Sequence, residues 1–231
     1  ESSRLAHGRS GRDRGCHVMA YATLTTGKTL ARMYEARWGI FVTGEAIKRN
    51  APAFAWSRSQ IPPMSYAIDN GAWSAYTADR DWDPAPFIKT LIEHGSESDF
   101  VVVPDIVAGG AASLDRSLEW LDRVLEHAPT ALIAVQDGMK PSDIEHLLSS
   151  RIGVFVGGST EWKIATLNEW ARAARAAGAW CHVGRVNTVG RMNRCSTAGV
   201  TSIDGTSVTR FACTLPKLDG ARRQMSLGVD P

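Results

Sequence analysis

No stretch of this 231-residue chain stays apolar for the ~20 residues that a bilayer crossing needs. No apolar segment follows the basic residues at its start, so no secretory leader is expected. The expectation is a protein that does not engage a membrane and works in the cytoplasm. Cysteine is scarce: Cys16, Cys181, Cys195 and Cys213 lie far apart, and none forms a CxxC pair. The ligand spacing of a zinc site is therefore absent, and reduced thiols with no metal are expected. The small-residue run Ala108-Gly109-Gly110-Ala111-Ala112 has neither GxGxxG nor P-loop spacing. It reads as the lining of a mouth, and no cofactor is expected. No serine–histidine–aspartate arrangement follows from the spacing, and His182, inside an apolar run, reads as a core histidine.

Acid is also missing over a long stretch. Between Ala171 and Ile203 there is no aspartate or glutamate, but there are five arginines: Arg172, Arg175, Arg185, Arg191 and Arg194. The formal net charge is only +2, so this basicity is local. Asp204 follows at once, then Arg210. A basic surface beside a carboxylate suits a polyanionic substrate. Arg172 and Arg175 alone read as a solvated helix face. Arg185, Arg191 and Arg210 are the candidate nucleic-acid contacts.

Residues 1–18 carry four arginines and two histidines without apolar periodicity and are expected to be a disordered basic leader. The remainder, 19–231, reads as one domain. Strand-like runs are expected at 20–24, 38–43, 64–68, 99–104, 131–136, 152–156, 180–184 and 200–204. Helix-like runs are expected at 28–36, 44–50, 84–94, 113–127, 141–149, 161–177 and 187–198. Ser113 and Ser142 are expected N-caps, and Gly178 and Gly199 expected helix stops. A short closing helix is expected after Arg210. Eight strands alternating with helices predict an α/β fold, a single-domain (β/α)8 barrel, with an open doubly wound sheet as the alternative.

Three apolar runs end in an aspartate: Ile68-Asp69, Val103-Pro104-Asp105 and Ile203-Asp204. In a barrel these carboxylates would lie at the carboxyl ends of strands, where chemistry is done. Asp204 is the candidate nucleophile, with a turn cap as its structural reading. Asp69, followed by Asn70-Gly71, is a candidate acid/base or positioning group, with ordinary turn chemistry as the alternative. Gln136 ends another apolar run, where its amide can pair with a donor and an acceptor on a purine edge. Gly157-Gly158 ends the next, where the backbone itself can face a ligand. Loop closure is the plain reading of both.

In this order the segments resemble the tRNA-guanine transglycosylase superfamily from about Ser65 to Arg210. Asp69-Asn70-Gly71 is similar to that family's acid/base aspartate segment, and Asp99 to Asp105 to the segment whose aspartate binds the purine. Val135-Gln136-Asp137-Gly138 resembles its Val-Gln-Gly-Gly, whose glutamine reads the base. Phe155-Val156-Gly157-Gly158-Ser159 resembles its glycine-containing recognition loop. His182-Val183-Gly184-Arg185 resembles the strand and turn before the last helix, and Ser202-Ile203-Asp204 to Thr209-Arg210 the nucleophile segment. The cysteine-rich zinc insert of bacterial members is missing, since only Cys213 follows. The chain is thereby more similar to the short DNA-guanine transglycosylases of phages and bacterial DNA-modification clusters.

The resemblance implies exchange of guanine in DNA for a free 7-deazaguanine base such as preQ0, through a covalent Asp204–deoxyribosyl intermediate. Asp69 would move the proton, and Asp105, Gln136, Gly157 and Gly158 would hold the base. Trp73 and Phe155 flank these segments as stacking candidates. The alternatives are the same exchange on tRNA, hydrolysis without replacement, and a non-catalytic nucleic-acid-binding barrel. Assembly stays open between a homo-oligomer and a partner subunit.

Overall fold

Eight short apolar runs each become a parallel strand: β1 (Met19–Thr23), β2 (Gly39–Val42), β3 (Tyr66–Ile68), β4 (Val101–Val102), β5 (Ala131–Val135), β6 (Ile152–Val156), β7 (Cys181–Val183) and β8 (Ser202–Gly205). Each pairs with its successor, and β8 pairs with β1, where Tyr21 stands opposite Asp204. The sheet therefore closes into a barrel, which excludes the open alternative. The computed structural model describes residues 18–211 and 213–227, with side chains as far as 223. Of the expected leader 1–18, residues 1–17, Cys16 among them, lie outside the described residues, while Val18 is buried in the core.

Parallel neighbours need crossovers, and helices supply them. They are α1 (Gly27–Glu35), α2 (Gly44–Arg49), α3 (Ala51–Ser59), α4 (Ala72–Thr77), α5 (Pro84–His94), α6 (Ala111–His127), α7 (Thr160–Ala176), α8 (Val189–Ala198), α9 (Ser207–Arg210) and α10 (Thr214–Leu227). Among the described residues no helix is long and apolar enough to cross a membrane.

Side chains alternate between two cores, as the strand period of two requires. Tyr21, Phe41, Ala67, Phe100, Leu132, Ala134, Phe155 and Trp180 fill the barrel. Ile40, Ile68, Val101, Ile133, Val154, Val183 and Ile203 face the helices. Two residues beyond the inward Ala67 and Ala134 come Asp69 and Gln136, so the same alternation aims them at the mouth.

The interior is fitted closely around small residues. The Tyr21 ring meets Phe100 edge-on at 5.5 Å, and its hydroxyl donates to Asp99 Oδ2 at 3.0 Å. A Cβ placed on Gly39 would lie 2.6 Å from that ring. Gly39→Ala is expected to cost about 1–3 kcal/mol by overpacking, read as a lower urea midpoint. An unchanged midpoint would show that the ring has room to move.

Several local expectations are corrected. The helix expected over 141–149 is instead two single 3-10 turns, Pro141–Asp143 and Glu145–Leu147. The Asp143 carboxylate accepts the Lys140 N–H at 2.8 Å, and Ile144 leaves helical geometry between the turns. Ser142 accordingly caps nothing. Ser113 is not an N-cap either: α6 starts at Ala111 behind Gly110, and the Ser113 hydroxyl is used inside the site. Gly178 and Gly199 do follow helix ends with positive φ. Helices α3 and α4 were not expected, although Asn50 with Pro52 and the Asn70-Gly71 turn introduce them. The expected closing helix is α10, held by its Asp219, which accepts from Trp38 Nε1 at 3.2 Å and pairs with Arg222 and Arg223.

Candidate active site

Asp204 sits on β8, 9% exposed, at the carboxyl end of the barrel. Its Oδ1 lies 3.0 Å from His182 Nε2 and accepts the Arg185 backbone N–H at 3.3 Å. His182 is fully buried on the adjacent β7, and its Nδ1 lies 2.7 Å from Ser202 Oγ. Trp180 Nε1 donates to the same oxygen at 2.7 Å. The hydrogen-bond inventory directs this chain. A hydrogen on Nε2 is aimed at Asp204 Oδ1, and Ser202, which accepts from Trp180, can give its own hydrogen to Nδ1. The opposite neutral tautomer would set a bare nitrogen against a carboxylate oxygen. Asp204 Oδ2 makes no hydrogen bond among the described residues.

Asp69 follows β3. Its backbone N–H donates to Val42 O at 2.7 Å, and its Oδ1 accepts the Gly71 N–H at 3.3 Å. Gly71 adopts φ +82, the left-handed geometry that turns the chain into α4. Burial pushes the Asp69 carboxyl up to about 7; the Gly71 N–H opposes this, and the negative charges of Asp204 and Asp105 reinforce it. The three strand-end aspartates therefore share one electrostatic neighbourhood.

Asp105 is clamped by two amides. Asn70 Nδ2 donates to its Oδ1 and Gln136 Nε2 to its Oδ2, both at 2.8 Å. Burial raises the Asp105 pKa, and these two donors resist the rise. Gln136 Nε2 also reaches Ile106 O at 2.9 Å and Ser113 Oγ at 3.0 Å. Those acceptors fix the orientation of the amide and leave its buried Oε1 without a partner among the described residues. The expectation that Gln136 offers a base both a donor and an acceptor is thus corrected, because its NH2 is already engaged. A cleft beside α4, lined by Thr43, Asn70, Gly71 and Trp82, adjoins this network from outside.

The glycines and arginines divide. The Gly157 N–H donates to Val135 O at 2.9 Å, so it continues the sheet, and that N–H is not offered to a ligand. Gly158, at φ +64, makes no hydrogen bond through its N–H among the described residues. Its carbonyl accepts from the Arg185 guanidinium. That guanidinium also lies 4.6 Å over the Trp73 ring. Trp73 follows β3 and Arg185 follows β7, opposite staves of the barrel, so this side chain spans the mouth. The expected free phosphate contact is therefore a strap in this state, and it occupies one face of Trp73, which stays 45% exposed. Phe155 stacks on His182 at 5.0 Å inside the barrel rather than facing the mouth. Arg191 lies on α8, and exposed Arg210 ends α9; neither touches the three aspartates.

Sequence reasoning missed Asn70, Ser113, Ser202 and the role of His182. Parity offered the signal for the last two: His182, Ser202 and Asp204 all point inward on neighbouring strands, and His182 is paired with Ser202. Cys181 and Cys195 are buried free thiols whose pKa burial pushes up to about 12.

No protein-family model matches the chain, and no curated protein does. Among solved structures it is similar to a mutant tryptophan synthase α-subunit from the hyperthermophile Pyrococcus furiosus. The identity is 13%, the TM-score 0.54, and the match covers 93% of this chain and 98% of that one. That likeness, with the closed eight-stranded barrel, shows that the chain is a (β/α)8 barrel.

Proposed function

We propose that this chain exchanges a purine base at an N-glycosidic bond by double displacement, acting on guanine in DNA and installing a 7-deazaguanine. The observation that carries the reading is the division of labour among carboxylates at one mouth. Asp204 is anchored by hydrogen-bond donors, while Asp69, driven up to about 7, holds a proton near neutrality. A carboxylate held in place beside an acid that keeps its proton is what acid-assisted displacement at a sugar carbon needs.

Asp204 Oδ2 attacks C1′ as the C1′–N9 bond breaks. The departing guanine takes the proton from Asp69, so it leaves neutral. The incoming base then returns its N9 proton to Asp69 and attacks C1′ from the vacated face, which releases Asp204. Two inversions give retention. Asp105, the Gly158 N–H and the unpartnered Gln136 Oε1 supply acceptor, donor and acceptor for a purine edge. Preference for DNA rests on the resemblance of the ordered motifs to those of the DNA-guanine transglycosylases. A base inside a duplex has to be flipped out to reach this mouth, and the Arg185–Trp73 contact has to open for it.

His182 contributes by orienting Asp204. His182→Phe keeps a ring beside Phe155 but removes the Nε2 donor. It is expected to lower kcat by about tenfold to hundredfold with little change in KM, and His182→Gln is expected to recover part of the loss. Equal losses in both variants would assign His182 a packing role.

Incorporation of labelled guanine into duplex DNA, single-stranded DNA and tRNA, assayed side by side, tests the reading. Label entering DNA supports it, and label entering tRNA alone moves the same chemistry to the other substrate. Abasic sites formed without added base would establish hydrolysis instead. Binding without any of these would leave a non-catalytic barrel.

A further inference from the structure

The turn that follows β7 has a second charged face, which base exchange at Asp204 does not use. A groove between α7 and α8 is lined by Lys163, Arg185, Arg191 and Arg194, with Leu167 and Cys195 as its apolar wall. None of these four cations forms an ion pair among the described residues. Lys163 is 6% exposed, and its Nζ donates to Gly184 O at 2.5 Å. An ammonium has three donors, and Gly184 O is the one acceptor that Lys163 finds among the described residues. Burying such a charge with one neutral partner is costly. Burial, and after it the positive charges of Arg185 and Arg191, pull its pKa down to about 8. The groove is therefore assembled as a site short of negative charge.

We infer that this groove binds a phosphate, and that its occupant is a backbone phosphodiester of the strand whose nucleotide enters the mouth. The assignment of the strand rests on the base-exchange reading. Three observations carry it. Beside Arg185, whose guanidinium is engaged by Gly158 O, the guanidinium residues Arg191 and Arg194 and the ammonium of Lys163 line one groove that no carboxylate lines, the donor set that suits phosphate oxygens. The first turn of α8, capped by Thr188, contributes Arg191 and the positive end of a ten-residue helix. The turn itself has two faces. Gly184 O lies on Lys163, while the Arg185 N–H reaches Asp204 Oδ1 at 3.3 Å and the Val186 N–H reaches Asp204 O at 2.6 Å. The groove is thus one peptide away from the proposed nucleophile, as a sugar carbon is a few bonds from its own phosphate.

The test is thermal unfolding and direct binding with inorganic phosphate, at ionic strength matched by chloride, using the Asp204→Asn chain so that no turnover intervenes. Phosphate at ten times its Kd is expected to raise Tm by about 3–5 °C. Lys163→Met is expected to raise Tm in chloride, by removing the buried charge, and to abolish the phosphate response. Arg194→Gln changes an exposed side chain, so it keeps the test alive if Lys163→Met does not fold. It is expected to weaken phosphate at least about tenfold. No phosphate-specific rise, or one that these variants leave intact, overturns the site. A trinucleotide whose binding falls tenfold when a methylphosphonate replaces one linkage supports the phosphodiester occupant. Equal binding of both trinucleotides overturns that occupant in favour of a free phosphate. A chain that binds phosphate through Lys163 yet exchanges no base would refute the function and leave the groove standing.

Discussion

Asp204→Asn is expected to lower base exchange at least about 10⁴-fold, the scale of removing a covalent nucleophile, with Tm close to that of the parent chain. The amide keeps an oxygen where Oδ1 now lies 3.0 Å from His182 Nε2 and accepts from the Arg185 N–H. The interior hydrogen-bond chain from Trp180 through Ser202 and His182 therefore still has an end point. Asp204→Ala removes that end point. It leaves a buried imidazole N–H unpaired and is expected to cost about 1–3 kcal/mol in addition to activity. The pair of variants separates chemistry from folding: the asparagine loses exchange alone, the alanine loses both. Exchange retained in Asp204→Asn within tenfold of the parent would remove Asp204 as nucleophile.

The second large effect concerns Asp69. Asp69→Asn is expected to slow exchange by about 10²–10⁴-fold, the usual range for a general acid. In the parent chain the rate of base departure is expected to fall as pH rises through about 7, where the Asp69 carboxyl loses its proton. The asparagine variant should lack that limb. Stability moves the same way. The unfolded carboxyl ionises near 3.8 and the folded one near 7, so between those values the folded chain binds the additional proton. Stability then falls as pH rises from about 4 to 7, and the penalty is complete above 7. Because the variant cannot titrate, its Tm relative to the parent is expected to climb through that window and level off, by the equivalent of about 1–4 kcal/mol. A flat difference from pH 4 to 8 would show that Asp69 ionises normally.

The barrel and much of the site could be read from residues in order, for a physical reason. A strand buried on both faces is written as an apolar run, and a polar residue closing such a run has to lie at its end. Asp69, Asp204 and Gln136 are all of this kind, and Asp105 follows one residue after Pro104. What stayed hidden depends on directions across the barrel. The contact of His182 with Asp204 requires the register that pairs His182 with Ser202, which no local pattern encodes. Lys163 carries no local signal of burial, and its contact with Gly184 O after β7 depends on the packing of α7 on the sheet. Arg185 reads as a free cation, and its left-handed backbone, φ +59, is what swings it toward Trp73. The helix expected over 141–149 failed because the Asp143 carboxylate closes a tighter turn on Lys140. Gly157 was singled out as facing a ligand, but the ladder continues one residue further than its composition suggested and takes its N–H.

The covalent step is tested most directly by trapping. A radiolabelled guanine-containing DNA strand, incubated with the chain and quenched in denaturant, is expected to leave label on the protein. Digestion should place it on the peptide containing Asp204, free 7-deazaguanine should discharge it into modified DNA, and Asp204→Asn should show none. A chain that exchanges bases without such an adduct, or with label on another residue, would contradict the double-displacement account at its centre.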